Sequence, residues 1–154
     1  MATSSASAVV PVQWDIQQIT LGNKPISVAR LVVEVSFSST LPGIQTVQEL
    51  CWFDTAAPLS VIPFRVHHKR LAWTPTGIMA TWMGQPCDIG QVDMWVPTGQ
   101  LVGARGPYPI LAKFARRDPP GGPYQVLFGL HVVQSHLAEV LIRPPPNDGT
   151  ITFP

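Results

Sequence analysis

Seventeen prolines and twelve glycines are spread through 154 residues, and they cut the apolar sequence into short runs. Proline inside a helix removes a backbone hydrogen bond and clashes with the preceding turn, at a cost of about 3 kcal/mol. A chain interrupted this often suits short strands and turns better than a helical bundle. Its length fits one domain with a core of its own, needing no covalent or metal staples. Charged residues are 12% of the chain and the net charge is +1, which gives no strong electrostatic case for nucleic acid or an anionic membrane. No stretch approaches the roughly 20 apolar residues of a membrane span. Cys51 and Cys87 lack metal or redox spacing; free thiols in a reducing compartment suit them better, with pairing left open.

Residues 1–11 read as a flexible N-terminal arm, small and polar, without the basic region or apolar core of a signal peptide. Residues 12–154 form the single domain, and the whole points to a soluble, cytoplasmic protein. Val12, Trp14 and Ile16 alternate with polar residues, predicting a strand over 12–19. A turn at 21–25 leads to a second strand over 26–37, with Leu31, Val33, Val35 and Phe37 on one face. Residues 50–54 form the next strand. The basic cluster 64–70 reads as a solvated turn or helical segment, because the adjacent His67 and His68 diverge in any regular structure and suit one metal poorly. Residues 71–96 read as a long hairpin turning at Gly84-Gln85-Pro86. Residues 97–122 are turn-rich, with a strand over 110–114 and a solvated loop at Arg116, Arg117 and Asp118. Gly103-Ala104-Arg105-Gly106-Pro107 lacks the Gly-Lys-Ser/Thr of a phosphate loop. Then come a buried strand at 126–129, a short helix over 130–137, a strand over 138–143 and a last one over 150–153. His131 and His136, five apart, fall on different helix faces and make no zinc pair.

One carboxylate stands out. Asp54 is the only charge between Glu49 and Arg65, set between Leu50-Cys51-Trp52-Phe53 and Leu59-Ser60-Val61-Ile62. An ionised group in such surroundings costs several kcal/mol, on the order of the buried-ion penalty, unless backbone donors or chemistry sustain it. The small residues Thr55, Ala56 and Ala57 let the backbone fold back so that its N–H groups point at the carboxylate.

Asp54-Thr55-Ala56-Ala57-Pro58-Leu59-Ser60-Val61-Ile62 resembles the active-site loop of retropepsin-like aspartic proteases, Asp-Thr/Ser-Gly-Ala followed by Ser/Thr and an aliphatic pair. About seventy residues on, Val126-Leu127-Phe128-Gly129-Leu130 is similar to the family's apolar–apolar–Gly segment, with its short helix after it. The resemblance runs from about residue 29 to 142 and implies an all-β, mostly antiparallel fold: a closed β-barrel lobe with a flap hairpin and one short C-terminal helix. It implies Asp54 as the catalytic residue, supported by Thr55, Ala56 and Ala57. Leu127, Phe128 and Gly129 would form the strand behind the loop. Met79, Ala80, Thr81, Trp82, Met83 and Gly84 would form the flap over a peptide substrate.

A single Asp cannot serve as both acid and base toward a peptide carbonyl and its attacking water. Two carboxyls sharing a proton can. No second loop of this kind occurs in the sequence, so Asp54 would face its own copy across a two-fold homodimer. The resemblance implies Thr55 hydroxyls bonding across that interface and terminal strands forming a shared sheet, with 150–153 and the N-terminal arm as candidates. No cofactor or metal is implied. Ala56 stands where the family has Gly. If the backbone there requires positive φ, the methyl strains it by about 1 kcal/mol or more; otherwise it only takes up room. Three readings stay open: an aspartic endopeptidase, a catalytically inactive retropepsin-like peptide-binding or dimerisation module, and a plain β-barrel structural protein.

Overall fold

The computed structural model describes residues 8–97, 104–122 and 124–154. The order is β1 (Ala8–Leu21), β2 (Lys24–Ser38), β3 (Thr46–Phe53), β4 (Ser60–Ile62), α1 (Phe64–His67), β5 (Trp73–Trp82), β6 (Gln85–Pro97), β7 (Ala104–Ala115), β8 (Val126–Phe128), α2 (Leu130–Ser135), β9 (Glu139–Leu141) and β10 (Gly149–Phe153). The protein is all-β, and among the described residues no helix is long and apolar enough to cross a membrane.

The strands hydrogen-bond in the order β5-β6-β7-β4-β8-β3-β2-β1-β10-β9. Most pairings are antiparallel; β3–β8 and β4–β7 are parallel. β2 also meets β6 through Ser36↔Trp95 and Phe37↔Met94, which closes β2, β3, β8, β4, β7 and β6 into a ring. Two residue pairs make that closure, and β5 and the β1-β10-β9 group extend beyond it, so the strands form an incompletely closed ring rather than the expected closed barrel. Phe37, Ile62, Met94, Ile110, Phe114 and Phe128 are fully buried inside it. Trp73 stacks on Phe114 at 4.0 Å between ring centroids and covers one end of this core.

Several elements reach further than periodicity predicts. Residues 8–11 are not a loose arm: β1 starts at Ala8, and Ala8, Val10 and Val12 are buried where Ala8–Val12 pairs with Phe153–Gly149. Residues 1–7, together with Gly99 and Gly103 of the turn-rich stretch, lie outside the described residues. β7 runs through Pro107 and Pro109. Pro107 falls in a register shift between Met94 and Val96, and Pro109 lies where β6 is the only neighbour, so neither proline breaks a ladder on two sides. β10 has β1 on one side and β9 on the other, which uses up both edges of the expected shared terminal strand.

The β5–β6 turn is centred on Met83 and Gly84, one residue before the expected position. Both have positive φ, 49° and 70°, as a two-residue hairpin turn matching strand twist requires. The basic cluster is less solvated than its composition suggests. His67 is buried against Trp73 and Phe114, and its Nε2 lies 2.7 Å from the Ala115 carbonyl. Asp118 is no free loop residue either: its carboxylate accepts the Phe64 and Arg65 amides at 2.8 and 3.1 Å, at the start of α1.

Candidate active site at Asp54

Strand β8 lies between β3 and β4, parallel to the first and antiparallel to the second. The chain leaving β3 must therefore cross the end of β8 to enter β4, and residues 54–59 make that crossing. Backbone bonds fix it. The Asp54 amide donates to the Phe128 carbonyl at 3.0 Å, and the Asp54 carbonyl accepts the Ala57 amide at 3.2 Å. The Leu130 and His131 amides donate to the Ala57 and Pro58 carbonyls, both at 2.9 Å, which ties the start of α2 to the loop. The Gly129 amide donates to the Ser60 hydroxyl at 3.0 Å, a buried bond across 69 residues. Ser60 was legible only as one of the resemblance's matching positions; its role in satisfying a buried donor follows from the crossing.

Gly129 has a steric reason to be glycine. A Cβ there would sit 2.6 Å from the Leu59 carbonyl carbon and 2.8 Å from the Ala57 and Leu59 carbonyl oxygens. The backbone of the crossing passes directly against it, so no side chain fits without moving the loop. Beneath, the buried rings of Phe53 and Phe128 meet at 5.8 Å and support the crossing from the core.

The carboxylate faces outward. Asp54 Oδ1 accepts the Ala56 amide at 3.0 Å, as expected from a small-residue turn. Asp54 is half-buried, while Thr55 and Ala56 are exposed. A single chain thus leaves the carboxylate partly in water and does not incur the full desolvation cost its apolar flanks suggest. Thr55 makes no hydrogen bond to any other described residue within the chain. Ala56 is not among the non-glycine residues with positive φ, which are Lys69, Met83 and Leu137. The backbone here therefore does not require glycine, and the methyl costs only room on an exposed surface.

A cavity of about 300 Å³ opens beside Asp54, lined among others by Trp14, Arg30, Trp52 and Leu127. The Arg30 guanidinium lies 3.8 Å over the Trp52 ring, a cation–π contact that sequence reading did not anticipate. Among the described residues no other carboxylate lines this cavity. None of Met79, Ala80, Thr81, Trp82, Met83 and Gly84 lines it either; Met79 and Met83 are 60% and 57% exposed at the far end of the sheet order. The structure brings Asp54, Thr55, Ala56, Ala57, Leu127, Phe128 and Gly129 together and leaves the flap candidates apart from them.

Other reactive groups are subdued. Cys51 and Cys87 are both free and buried. Burial first, then Glu49 and Glu34, pushes the Cys51 thiol far above its ordinary value; burial also raises Cys87. Both are therefore poor nucleophiles. Among the described residues, no group of three or more His, Cys, Asp or Glu could hold a metal ion. No protein-family model matches the chain, and no curated protein matches it.

Proposed function

We propose that the chain is a retropepsin-like aspartic endopeptidase that works as a two-fold homodimer, with Asp54 of each copy forming the catalytic pair. The observation that carries this reading is the Asp54 loop itself. A carboxylate is held by a backbone amide on one side, kept partly open on the other, and buttressed by a strand ending in an obligatory glycine. Such a loop is rigid enough to present a reacting group. The exposed Thr55 hydroxyl, which bonds to no other described residue of the chain, suits a contact with its own copy. The ring of six strands beneath the loop suits a retropepsin-like lobe.

In the dimer the two carboxyls share one proton, because like charges this close cannot both ionise. The ionised oxygen takes a proton from water as that water attacks the peptide carbonyl. The protonated partner donates to the carbonyl oxygen as negative charge develops there. The exposed apolar side chains Met79 and Met83 suit a hairpin that closes on bound peptide, provided that it moves or that the second copy supplies it.

The test is cleavage of peptide substrates at mildly acidic pH, inhibited by a statine-type compound. Asp54→Ala must abolish it; cleavage that persists in this variant removes the proposal. A second reading, a peptide-binding module without turnover, has Ala56 in its favour, since its methyl occupies the exposed surface next to the carboxylate. Peptide binding without cleavage, both in the wild type and in Ala56→Gly, selects that reading.

A further inference from the structure

A second cavity, of about 480 Å³, lies between α1, the turn after it, the start of β5, the first residues of β6 and the last of β7. It shares no lining residue with the cavity at Asp54. Its size falls in the range of small-molecule sites, roughly 300–1,000 Å³.

One group on its wall has an unused valence. His67 is 7% exposed, and the one hydrogen bond its ring makes to a described residue joins Nε2 to the Ala115 carbonyl at 2.7 Å. A carbonyl only accepts, so Nε2 carries the ring proton. Burial holds the imidazole below its ordinary pKa and keeps it neutral at neutral pH, which leaves Nδ1 a bare lone pair. Among the described residues Tyr108 Oη is the one buried side-chain nitrogen or oxygen without a partner. Nδ1 is therefore not sealed in; it opens on the cavity that the ring lines.

The rest of the lining is aromatic, with a cation at the rim. The rings of Phe64, Trp73 and Phe114 stand 5.6, 5.4 and 5.3 Å from the imidazole, centroid to centroid. Asp88 and Arg116 also line the cavity, but they hold each other through two bonds, at 2.8 and 3.0 Å, and their charges cancel. His68, the other imidazole of the lining, lies stacked on Phe64 at 4.4 Å. Lys69 is exposed and has no carboxylate partner among the described residues. Its backbone is fixed in the left-handed region, φ 55°, and the Arg70 and Leu71 amides that follow both donate to the His67 carbonyl at 3.1 Å. One surplus positive charge thus stands at the mouth of a pocket of rings with an uncharged acceptor inside.

We propose that this cavity binds a small aromatic acid bearing a ring hydroxyl. The hydroxyl donates to His67 Nδ1, the ring packs among Phe64, Trp73 and Phe114, and the carboxylate meets Lys69. Each part of the ligand answers one feature of the site. A bare buried acceptor is costly until a donor reaches it. Aromatic walls favour a flat ring, packed offset or edge-on. An unpaired ammonium favours an anion. An aliphatic acid without a hydroxyl leaves Nδ1 unmet, and a cation is repelled by Lys69. None of this depends on the pairing of Asp54 with its copy.

The experiment is an NMR titration of the full chain with 4-hydroxybenzoate, benzoate and phenol as separate probes. The first is expected to bind with a Kd of about 1 mM or tighter, and the other two about tenfold more weakly, each lacking one of the two polar contacts. Lys69→Asn, which keeps a residue tolerant of left-handed backbone, should bring 4-hydroxybenzoate down to the affinity of phenol and leave phenol unaltered. A merely structural effect would weaken both. Ring nitrogen spectra of the wild type should show His67 protonated at Nε2 and bare at Nδ1. The Nδ1 resonance should move with 4-hydroxybenzoate and stay in place with benzoate, a readout that needs no variant at His67. A proton on Nδ1 in the free protein, an unmoved resonance, equal binding of the three probes, or binding weaker than stated overturns the proposal.

Discussion

The Asp54 crossing and the β1–β2 arm are neighbours held in opposite ways. The crossing is over-determined: amides and carbonyls from β8 and α2 fix it, a buried hydroxyl satisfies its last donor, and a glycine gives it space. The arm beyond residue 13 has one strand partner among the described residues, and beyond its partly buried base most of its side chains are exposed. Rigidity in the first comes from crowding, where each atom excludes alternatives. The second is fixed only at its base, where the Trp14 indole donates to the Arg143 carbonyl and Arg30 lies over Trp52; further out it makes few contacts within its own chain. A protein that positions a carboxylate this firmly beside an arm this bare keeps its adaptable surface outside its precise one.

The comparison breaks most readily at Gly129. Gly129→Val should destabilise the fold by about 3 kcal/mol or more, because the new side chain meets backbone that cannot turn away. Denaturant unfolding measures this, and a change below about 1 kcal/mol would mean the crossing is looser than its contacts indicate. Ser60→Ala comes next. It leaves the buried Gly129 amide without an acceptor, at about 1–3 kcal/mol in the same measurement.

His67 offers a smaller, pH-dependent effect within the well-packed part. Burial holds it below the ordinary histidine value, aided by His68 and opposed by the bond to the Ala115 carbonyl and by Asp118 and Asp88. As pH falls through about 6.5, the unfolded chain takes up a proton that folded His67 does not. Stability attributable to this group is therefore full above that pH and declines toward its lower folded value. The difference in unfolding free energy between the wild type and His67→Gln, measured at neutral and mildly acidic pH, should shrink on acidification. A pH-independent difference would contradict the burial argument. Smallest is Leu21→Ser at concentrations too dilute for association, which should change stability by no more than about 0.5 kcal/mol, since the side chain touches little within its own chain.

Legibility in the sequence followed the same division. The strand into Asp54, the small-residue turn and the Val126–Gly129 segment were readable because each is a local pattern: an apolar run, a lone charge, a glycine after apolar residues. The alternation in β2 was readable between Leu31 and Phe37 because one face there meets the core. β1 was readable over 12–19 and cut short at both ends: Thr20 and Leu21 lie at the tip of a ribbon where both are exposed, and residues 8–11 follow a small polar stretch. Pro107 and Pro109 hid most of β7, because a proline on a singly paired edge looks in sequence like a break. The burial of His67 and the role of Asp118 depend on partners 48 and 54 residues away, and no local pattern signals them.

Because β8 joins β3 across more than seventy residues, the acid's cradle needs two segments that lie far apart in the sequence. A nascent or truncated chain that stops short of Val126 carries Asp54 on a loop without the Phe128 carbonyl, the Gly129 notch or the α2 amides that give it shape. The carboxylate then hangs on an unformed tether. Synthesis itself acts as a timer, withholding the finished loop until residues 126–131 have emerged.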